Sequence, residues 1–356
     1  MSLQRLVIQN LRNIARADIA PAAGLNVIFG HNAAGKTSIL EAIHILSTSR
    51  SFRTLHIDNI ISHGADVLTV RGNQLLDSGE NNMGVQRSKN ATRLRLNGVD
   101  IQQTSVIAQK LPVQIINPEA HQLLEQGPKI RRKMLDWGVF HVEQKFADIW
   151  RRYNRVLKQR NSALRQGNRK VVHSLSPQLL SLASDIDTRR QMYAERLQQY
   201  IKQYCGELIG SIPDIEYVRG WNRDKSLQEV LDNTITIDLE RGYTGAGPHR
   251  AEIRFKFDHK LAQTVLSRGQ QKMLVSSVIM AQVALFHEDT GRRSILLVDD
   301  LPAELDNEHR QQLLEMLWRT NAQLFVTVTE PGLVDLSPWE SSKVFHVEHG
   351  TVHEVV

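Results

Sequence analysis

A segment near the start of the chain has the residue types and the spacing to bind a phosphate. It comprises Gly30, His31, Asn32, Ala33, Ala34, Gly35, Lys36 and Thr37. This is the pattern G-x-x-x-x-G-K-[ST], in which the glycines let several backbone N–H groups point at one anion. The lysine would reach the β- and γ-phosphates of a nucleoside triphosphate, and the threonine hydroxyl would bind Mg²⁺. The segment therefore predicts a phosphate loop, with an ordinary glycine-rich turn as the alternative.

The residues on either side of this loop predict the elements that position it. Residues 25–29 are a short apolar run typical of a β-strand, and residues 38–46 carry apolar side chains at helical spacing. A strand, the loop and then a helix form the context that separates a phosphate loop from a chance match. The helix N terminus would add its partial positive charge to the anion site.

A second apolar run, residues 294–298, ends in two carboxylates, Asp299 and Asp300. In phosphate-loop ATPases, an acidic residue at the end of such a strand lies beside the loop. We expect Asp299 to hold Mg²⁺ together with Thr37, and Asp300 to orient or deprotonate the attacking water. Taken alone, the two aspartates could simply begin a turn.

A third candidate site precedes a predicted buried helix over residues 272–286. It contains Ser267, Gly269 and Gln270, which combine a hydroxyl, a flexible glycine and free N–H groups. The same residues also describe an ordinary N-cap serine. Two phosphate-binding segments in one chain would either hold one nucleotide from both ends or serve a nucleotide shared between two chains.

Net charge, cysteine content and the lengths of the apolar runs indicate which kinds of partner and cellular environment to expect. The chain has 356 residues and a net charge of +6, which modestly favours an anionic partner such as nucleic acid. Its single cysteine, Cys205, excludes an internal disulfide framework and fits a reducing cytoplasm. No run of 18 apolar residues occurs, so we expect no membrane span.

In the long segment between the loop and the paired aspartates, the spacing of apolar residues changes from a strand pattern to a helical one. Residues 66–116 alternate in the manner of strands, with Asn97 and Gly98 as a hairpin-turn signal and residues 79–82 as a polar loop. This part should pair with the first strand as an antiparallel layer.

Residues 142–165 then change to a helical period, and Pro177 is expected to open a second helix that reaches about residue 209. One face of the first helix carries an apolar stripe that fits a packing face better than a base-stacking platform; it contains Phe146, Trp150, Tyr153, Leu157 and Leu164. Elsewhere on this helix lie Arg151, Arg155 and Lys158, which would either be solvated or face DNA.

The order of these motifs resembles that of the ATP-binding-cassette ATPases, and further segments are similar to the bacterial RecF family of DNA-repair proteins. The similar segments are residues 3–14, 51–54, 118–136, 247–250 and 300–313. The resemblance implies an α/β fold, a phosphate-loop ATPase head with an antiparallel β layer and a mixed α/β core. Residues 1–136 and 246–356 would form this head, and residues 137–245 would form an inserted helical lobe.

The resemblance also implies roles for particular residues. Ser267, Gly269 and Gln270 would act in trans on a nucleotide bound by a second copy, so that ATP joins two heads. Arg12 and Asn13 would reach the nucleotide, Gln114 would sense the γ-phosphate and Mg²⁺, and Asp306 would belong to the D-loop. Ala33 stands where the family usually has a glycine, which would stiffen the loop.

Function follows from the resemblance as an expectation. It implies a homodimer that closes on single-stranded or duplex DNA with ATP and opens after slow hydrolysis, with RecR- and RecO-type partners. Arg131 and Arg132 are added to the candidate DNA contacts. Two other classes remain open, the ATPase subunit of a membrane transporter and a kinase for a small metabolite.

Overall fold

The computed structural model describes residues 2–54, 56–76, 79–300 and 307–355. Within it the chain divides into two compact units. The first unit combines residues 1–120 with residues 272–356, and the second is the continuous segment 121–271. Among the described residues, no helix combines the length and the apolar character that crossing a bilayer requires.

The strands and helices are numbered in chain order. The strands are β1 (Ser2–Leu11), β2 (Ile14–Ile19), β3 (Leu25–Phe29), β4 (Val67–Leu76), β5 (Gly79–Ser88), β6 (Thr92–Leu96), β7 (Val99–Ile101), β8 (Val113–Ile116), β9 (Asp214–Val218), β10 (Glu252–Phe257), β11 (Lys260–Leu261), β12 (Ile295–Val298), β13 (Gln323–Val328), β14 (Ser342–Glu348) and β15 (Thr351–Glu354). The helices are α1 (Lys36–Thr48), α2 (Thr104–Lys110), α3 (Gln122–Glu125), α4 (Pro128–Val142), α5 (Phe146–Arg165), α6 (Arg169–Ile209), α7 (Leu227–Asn233), α8 (Ile235–Arg241), α9 (Ala262–Val265), α10 (Arg268–Thr290) and α11 (Asn307–Arg319).

One sheet of the first unit is antiparallel, with the strand order β2-β1-β4-β5-β6-β7. The predicted pairing of this region with the first strand is confirmed by the β1–β4 ladder. The hairpin turn is also confirmed, because Asn97 and Gly98 both have positive φ, at 51° and 82°, as a two-residue turn of this kind requires. The predicted polar loop at residues 79–82 is wrong: these residues belong to β5 and pair with β4, and Asn81 is buried.

The other large sheet has the strand order β15-β14-β3-β13-β12-β8, in which only β15 runs antiparallel to its neighbour. The sequence placed residues 113–116 in the antiparallel layer, and this is wrong. Strand β8 pairs in parallel with β12, with Val113 opposite Ile295. The helix α2 lies between β7 and β8, and it carries the chain from one sheet to the other.

Helix α1 lies between the two sheets and contacts β1, β4 and β5 on one side and β13 and β8 on the other. Its side chains are therefore buried nearly all round, including Ile39, Leu40 and Ile43. Two buried amides also link neighbouring segments. Gln323 exchanges hydrogen bonds with the backbone of Leu3 at 2.7 and 2.9 Å, and Asn26 bonds the carbonyl of Leu324 at 3.1 Å.

The second unit is built on α4, α5 and α6. The apolar stripe of α5 is a packing face, as predicted: Tyr153 is fully buried, and Phe146 and Leu164 nearly so. The predicted start of α6 at Pro177 is wrong, because the helix begins at Arg169 and contains the proline. Asn168 caps the helix by accepting the N–H of Val171, and the buried Val172 packs against Ala163 and Leu164. An internal proline costs about 3 kcal/mol locally, and α6 is nevertheless continuous through it, with side chains buried on both sides of the proline, among them Val172, Leu179 and Leu182.

Segments on both sides of the helical hairpin pack into the second unit. Arg190 of α6 is fully buried, pairs with Asp136 of α4 at 2.7 Å and donates to the carbonyl of Pro248 at 2.7 Å. Arg131 pairs with Glu252 of β10 at 2.8 Å. These contacts place residues 121–136 and 246–271 with the helices, whereas the sequence had assigned both to the head.

A half-buried histidine connects α5 to the turn before β10. The Nδ1 of His249 accepts the Tyr153 hydroxyl at 2.7 Å, and its Nε2–H donates to the carbonyl of Thr244 at 3.0 Å. The neutral ring thus has a partner at each nitrogen. Burial, together with the charges of Arg250, Arg132 and Arg190, lowers the pKa of His249 to about 4, although its hydrogen bond to Thr244 acts in the opposite direction.

This shift predicts a pH dependence of stability. In the unfolded chain the pKa returns to about 6.5, so between pH 6.5 and 4 the unfolded state binds a proton more readily than the folded state. The free energy of unfolding should therefore fall as the pH drops through this window, by at most about 3 kcal/mol from this group. Denaturant titrations across this pH range should show a weaker dependence in His249→Gln. The variant of an exposed histidine, His173→Gln, is the control, and equal pH dependence in wild type and His249→Gln would contradict the assignment.

Candidate nucleotide-binding site

The carboxyl ends of β3, β13 and β12 meet at one edge of the parallel sheet, which is where open α/β sheets bind ligands. A cleft of about 710 Å³ opens at this edge. It is lined by Arg12, Asn13, Asn32, Ala33, Gly35, Lys36, Thr37, Ser38, Arg53, Pro118, Asp299, Asp300 and Thr327. The predicted loop and the paired aspartates therefore lie in one cleft.

The loop follows β3 and leads directly into α1, as the sequence predicts. The ammonium of Lys36 donates to the carbonyl oxygens of Gly30 at 2.7 Å and His31 at 3.0 Å. Burial lowers the pKa of Lys36, and the charges of Asp300 and Asp299 oppose this shift. The lysine is thus a largely desolvated cation with anionic neighbours at the centre of the cleft.

Backbone geometry explains the residue types in the loop. Gly30 has φ 149°, and a Cβ there would overlap the carbonyl oxygen of Val347 on β14. Ala33 has φ 63°, in the left-handed region that favours glycine, which costs an alanine on the order of 1 kcal/mol. The loop is therefore strained at Ala33, where a glycine would be unstrained.

A shared hydroxyl network joins the loop to the paired aspartates. Asp299 Oδ1 accepts the hydroxyl of Thr37 at 2.8 Å and that of Thr327 at 3.0 Å. Thr327 Oγ1 in turn accepts the backbone N–H of Asp300 at 2.6 Å. Burial raises the pKa of Asp299, and the two hydroxyl bonds counteract this. Asp300 is exposed at the cleft and has φ 52°, a strained conformation of the kind that clusters at functional sites.

Sequence reasoning missed four residues of this cleft, Ser38, Arg53, Pro118 and Thr327, of which Thr327 and Arg53 act on the paired aspartates. Thr327 lies near the end of β13, which runs between the loop strand and the aspartate strand. Its only signal in the sequence is a hydroxyl within an apolar run. Arg53 is exposed in the turn after α1, and its charge lowers the pKa of Asp299. Spacing alone could not have placed either residue here.

The predicted nucleotide contacts of the turn after β1 have partners within the protein. Both Arg12 and Asn13 line the cleft. Arg12 forms two hydrogen bonds of 2.9 Å to Glu41 of α1 and a third to the carbonyl of Asn59. Asn13 Nδ2 donates to the carbonyl of Ala34 at 2.8 Å.

Two further predicted nucleotide residues have other surroundings. Gln114 lies on β8, donates to Gln282 at 2.9 Å and is not among the cleft-lining residues described above. Its expected role as a γ-phosphate sensor stays a prediction. Asp306 of the expected D-loop lies outside the described residues.

The expected signature residues stand at the N terminus of α10, in the second unit. Ser267 and Gln270 form a reciprocal cap: the N–H of Ser267 donates to Gln270 Oε1 at 3.0 Å, and the N–H of Gln270 donates to Ser267 Oγ at 3.3 Å. The N-cap described by the alternative interpretation is therefore present. Ser267, Gly269 and Gln270 are also exposed, and a Cβ at Gly269 would meet nothing within 4 Å.

The candidate DNA contacts fall into two groups. Arg131 is buried and bonds Glu252 and three backbone carbonyls, so it is not available to a phosphate. Arg132 is half-buried and donates to the carbonyl of Ala251 at 2.7 Å. The exposed group is Arg151, Arg155 and Lys158, at helical spacing on α5.

Comparison with known proteins agrees with this arrangement. The family model described as the RecF/RecN/SMC N terminal domain matches residues 2–353. Proteins named DNA replication and repair protein RecF from Shewanella denitrificans and Shewanella baltica are each 40% identical over 356 residues, covering 99% of this chain and 99% of each relative. The chain belongs to the RecF family.

Solved structures show the same fold. A structure of the recombination mediator protein RecF-ATP in the RecFOR pathway matches with a TM-score of 0.90 and 24% identity, covering 100% of this chain and 98% of that one. A structure of the Smc head bound to the C-winged helix domain of ScpA matches with a TM-score of 0.60 and 14% identity, covering 100% and 98%. The predicted fold of an ATP-binding-cassette-type ATPase head is confirmed.

The salt bridge between Arg12 and Glu41 yields a stability prediction for this RecF-family chain. Glu41 is fully buried and also accepts the hydroxyl of Ser51. In Glu41→Ala, the guanidinium would lose its only carboxylate partner among the described residues. Breaking a fully buried pair costs about 3–5 kcal/mol, and because the Arg12 side chain is 21% exposed the loss here should lie at or below the lower end of that range.

Denaturant unfolding of Glu41→Ala should show a loss of this size. The control is Asp18→Ala, which removes the carboxylate of the exposed Arg5–Asp18 pair and should have a far smaller effect, because solvated pairs contribute little. Similar losses in both variants would show that the Arg12–Glu41 pair does not make the predicted contribution to the free energy of unfolding.

Proposed function

We propose that this RecF-family protein binds and hydrolyses ATP and acts in DNA replication and repair as a recombination mediator. The names of its relatives support the cellular role. The proposal of ATP binding and hydrolysis rests on one observation, the hydrogen bond between Thr37 and Asp299. It joins two phosphate-loop ATPase motifs that lie 262 residues apart in the sequence.

The donor set fits a nucleoside triphosphate with Mg²⁺. Lys36 and the loop N–H groups would bind the phosphates, while Thr37 and Asp299 would hold the metal ion. A hydroxyl and a carboxylate within hydrogen-bonding distance of each other are oxygen ligands of the kind Mg²⁺ prefers. When bound, Mg²⁺ would neutralise charge on the phosphates.

Asp300 is the candidate catalytic base. Its backbone N–H is held by Thr327, and its carboxylate is exposed at the cleft, where a water could be oriented or deprotonated. An aspartate is one methylene shorter than a glutamate, which supports slow turnover suited to a switch. We therefore propose a weak ATPase.

We propose further that ATP joins two copies of the chain. Support comes from the exposed N terminus of α10, where the Ser267 side chain is exposed and nothing lies within 4 Å of a Cβ built at Gly269, so that a phosphate could approach the backbone. A helix N terminus of this kind can bind the γ-phosphate of a nucleotide held by the second copy. The homodimer would form with ATP and open after hydrolysis.

The ATP-dependent dimer is tested by measuring molar mass with and without ATP in an analytical ultracentrifuge. Wild type should change from monomer to dimer on addition of ATP. Lys36→Met should stay monomeric because the removed charge neutralises phosphate, and Asp300→Asn should accumulate as dimer because hydrolysis is blocked.

Ser267→Arg separates binding from assembly, because it should bind ATP like wild type yet remain monomeric. A wild-type chain that binds ATP but keeps a monomer mass would contradict the clamp. A chain that does not bind ATP would contradict the whole proposal.

DNA is the proposed anionic partner of the helical unit. The side chains of Arg151, Arg155 and Lys158 are exposed on α5, opposite its buried stripe. Contacts from such side chains reach phosphates and give little sequence preference, so single-stranded and duplex DNA are both candidates. RecR- and RecO-type proteins are the proposed protein partners, and the cytoplasm is the proposed location.

Salt dependence tests the DNA contacts. The slope of log K against log salt is negative, and each lost phosphate contact should reduce its magnitude by about one. Arg155→Gln with Lys158→Gln should therefore bind DNA more weakly and with a shallower slope than wild type. Lys225→Gln removes an exposed charge elsewhere in the same unit and is the control. Unchanged slopes in the double variant would remove α5 from the interface.

Neither a transporter ATPase subunit nor a kinase for a small metabolite is supported by the comparisons. The relatives described above match along the whole chain and are named for DNA replication and repair. The transporter ATPase subunit and the small-metabolite kinase are therefore not favoured.

A further inference from the structure

The C-terminal hairpin of β14 and β15 touches the phosphate loop through backbone atoms. The N–H of Gly350, in the turn of this hairpin, donates to the carbonyl of Ala34 at 2.9 Å. The same carbonyl accepts the side-chain amide of Asn13 at 2.8 Å. One carbonyl of the loop is thus held by two donors from different turns, and we call this arrangement the Ala34 brace.

The brace matters because of the peptide bond that it holds. The carbonyl of Ala34 and the N–H of Gly35 belong to one planar trans peptide, so they point in opposite directions. Fixing the carbonyl toward Gly350 and Asn13 therefore fixes the N–H on the other side. Gly35 lines the cleft, and its N–H is one of the loop donors that the phosphate pattern requires.

Without the brace this peptide would have unusual freedom. Gly35 has φ 120°, a region that glycine enters and leaves readily. A peptide next to such a residue can rotate and turn its N–H out of the cleft. Donors that are oriented before the ligand arrives avoid this reorganisation cost on binding.

We propose that Gly350 is a positioning residue for phosphate binding: together with Asn13, it sets the direction of the Gly35 N–H. This inference rests on the proposed ATP-binding function of the loop and assigns part of its affinity to the C-terminal hairpin. Among the hydrogen bonds of the described residues, that of the Gly350 N–H goes to the loop carbonyl of Ala34 and not to the hydroxyl network around Asp299, so its expected effect is on binding.

The structure also explains why position 350 holds a glycine. Its φ is 79°, and a Cβ there would overlap the backbone carbonyl oxygen of Asn13. Any side chain must push the hairpin turn away from the β1–β2 turn, which lengthens or breaks the bond to Ala34. The substitution Gly350→Ala therefore disrupts the brace by steric overlap as well as by backbone strain.

Gly64 supplies a matched control. Its φ is 80°, nearly the same as that of Gly350, but a Cβ there would meet nothing within 4 Å. The variant Gly64→Ala thus carries the same backbone strain without the overlap. Any difference between the two alanine variants reports on the brace.

The experiment measures ATP binding by calorimetry and steady-state ATP hydrolysis on the full chain. Gly350→Ala should weaken ATP affinity about tenfold, the size of one well-formed hydrogen bond. Its KM should rise while kcat at saturating ATP stays near wild type, because Asp299, Asp300 and Thr327 are untouched. Gly64→Ala should match wild type in both quantities, and its melting temperature should lie between those of wild type and Gly350→Ala, because only the latter adds the overlap and loses the bond to Ala34.

Asn13→Ala removes the other donor of the brace and does not depend on the folding of the Gly350 variant. It should also weaken ATP binding, and the double variant should lose less than the sum of the two single losses, because both act on one carbonyl. Wild-type affinity in Gly350→Ala or in Asn13→Ala would overturn the inference. Failure of wild type to bind ATP would instead overturn the proposed function on which it rests.

Discussion

The hydrogen bond from Thr37 to Asp299 is the contact on which the site depends. It requires β3 and β12 to end at the same level of one parallel sheet, although their motifs lie 262 residues apart. Between them runs β13, whose Thr327 donates to the Asp299 carboxylate and accepts the N–H of Asp300. The sheet register thus determines the chemistry, because moving one strand by a residue would turn these side chains to the opposite face.

The surroundings of the cleft hold conformations that a free chain would avoid. Ala33 and Asp300 both have positive φ, and Glu41 keeps a buried charge beside Arg12. Such features cost stability locally and persist only when packing determines them. Here the packing comes from α1, which lies between two sheets and is buried nearly all round. The loop that contains Ala33 directly precedes this rigid helix and Asp300 follows the buried strand β12, so the groups of the cleft are held in fixed positions.

The second unit is stabilised in a different way. Its interior contains charged pairs, including Arg190 with Asp136 and Arg160 with Asp238, the latter at 3.1 Å. A buried pair of this kind adds little net stability, but losing one partner is costly. The pairs therefore specify how α4, α5 and α6 pack, while apolar residues such as Tyr153 and Leu164 supply the driving force. The remaining arginines of α5 are left on the exposed face.

Local pattern alone determined the phosphate loop, the strand and helix beside it, the Asn97–Gly98 turn and the packing face of α5. Each of these depends on residues within a single loop, strand or helix and its immediate neighbours, so spacing in the sequence reports it directly. Two local signals gave wrong predictions: the polar residues 79–82 predicted a loop, and Pro177 predicted a helix start. Strand pairing and helix packing overrode the local preference at these positions.

Only the tertiary structure decided that β8 joins the parallel sheet, that Thr327 links both aspartates and that the turn at Gly350 holds the loop. These contacts join residues from distant parts of the chain, and none of them is indicated by the spacing of residue types in the sequence. They arise because the parallel strands order themselves by packing on both faces of the sheet, which only the complete fold can satisfy.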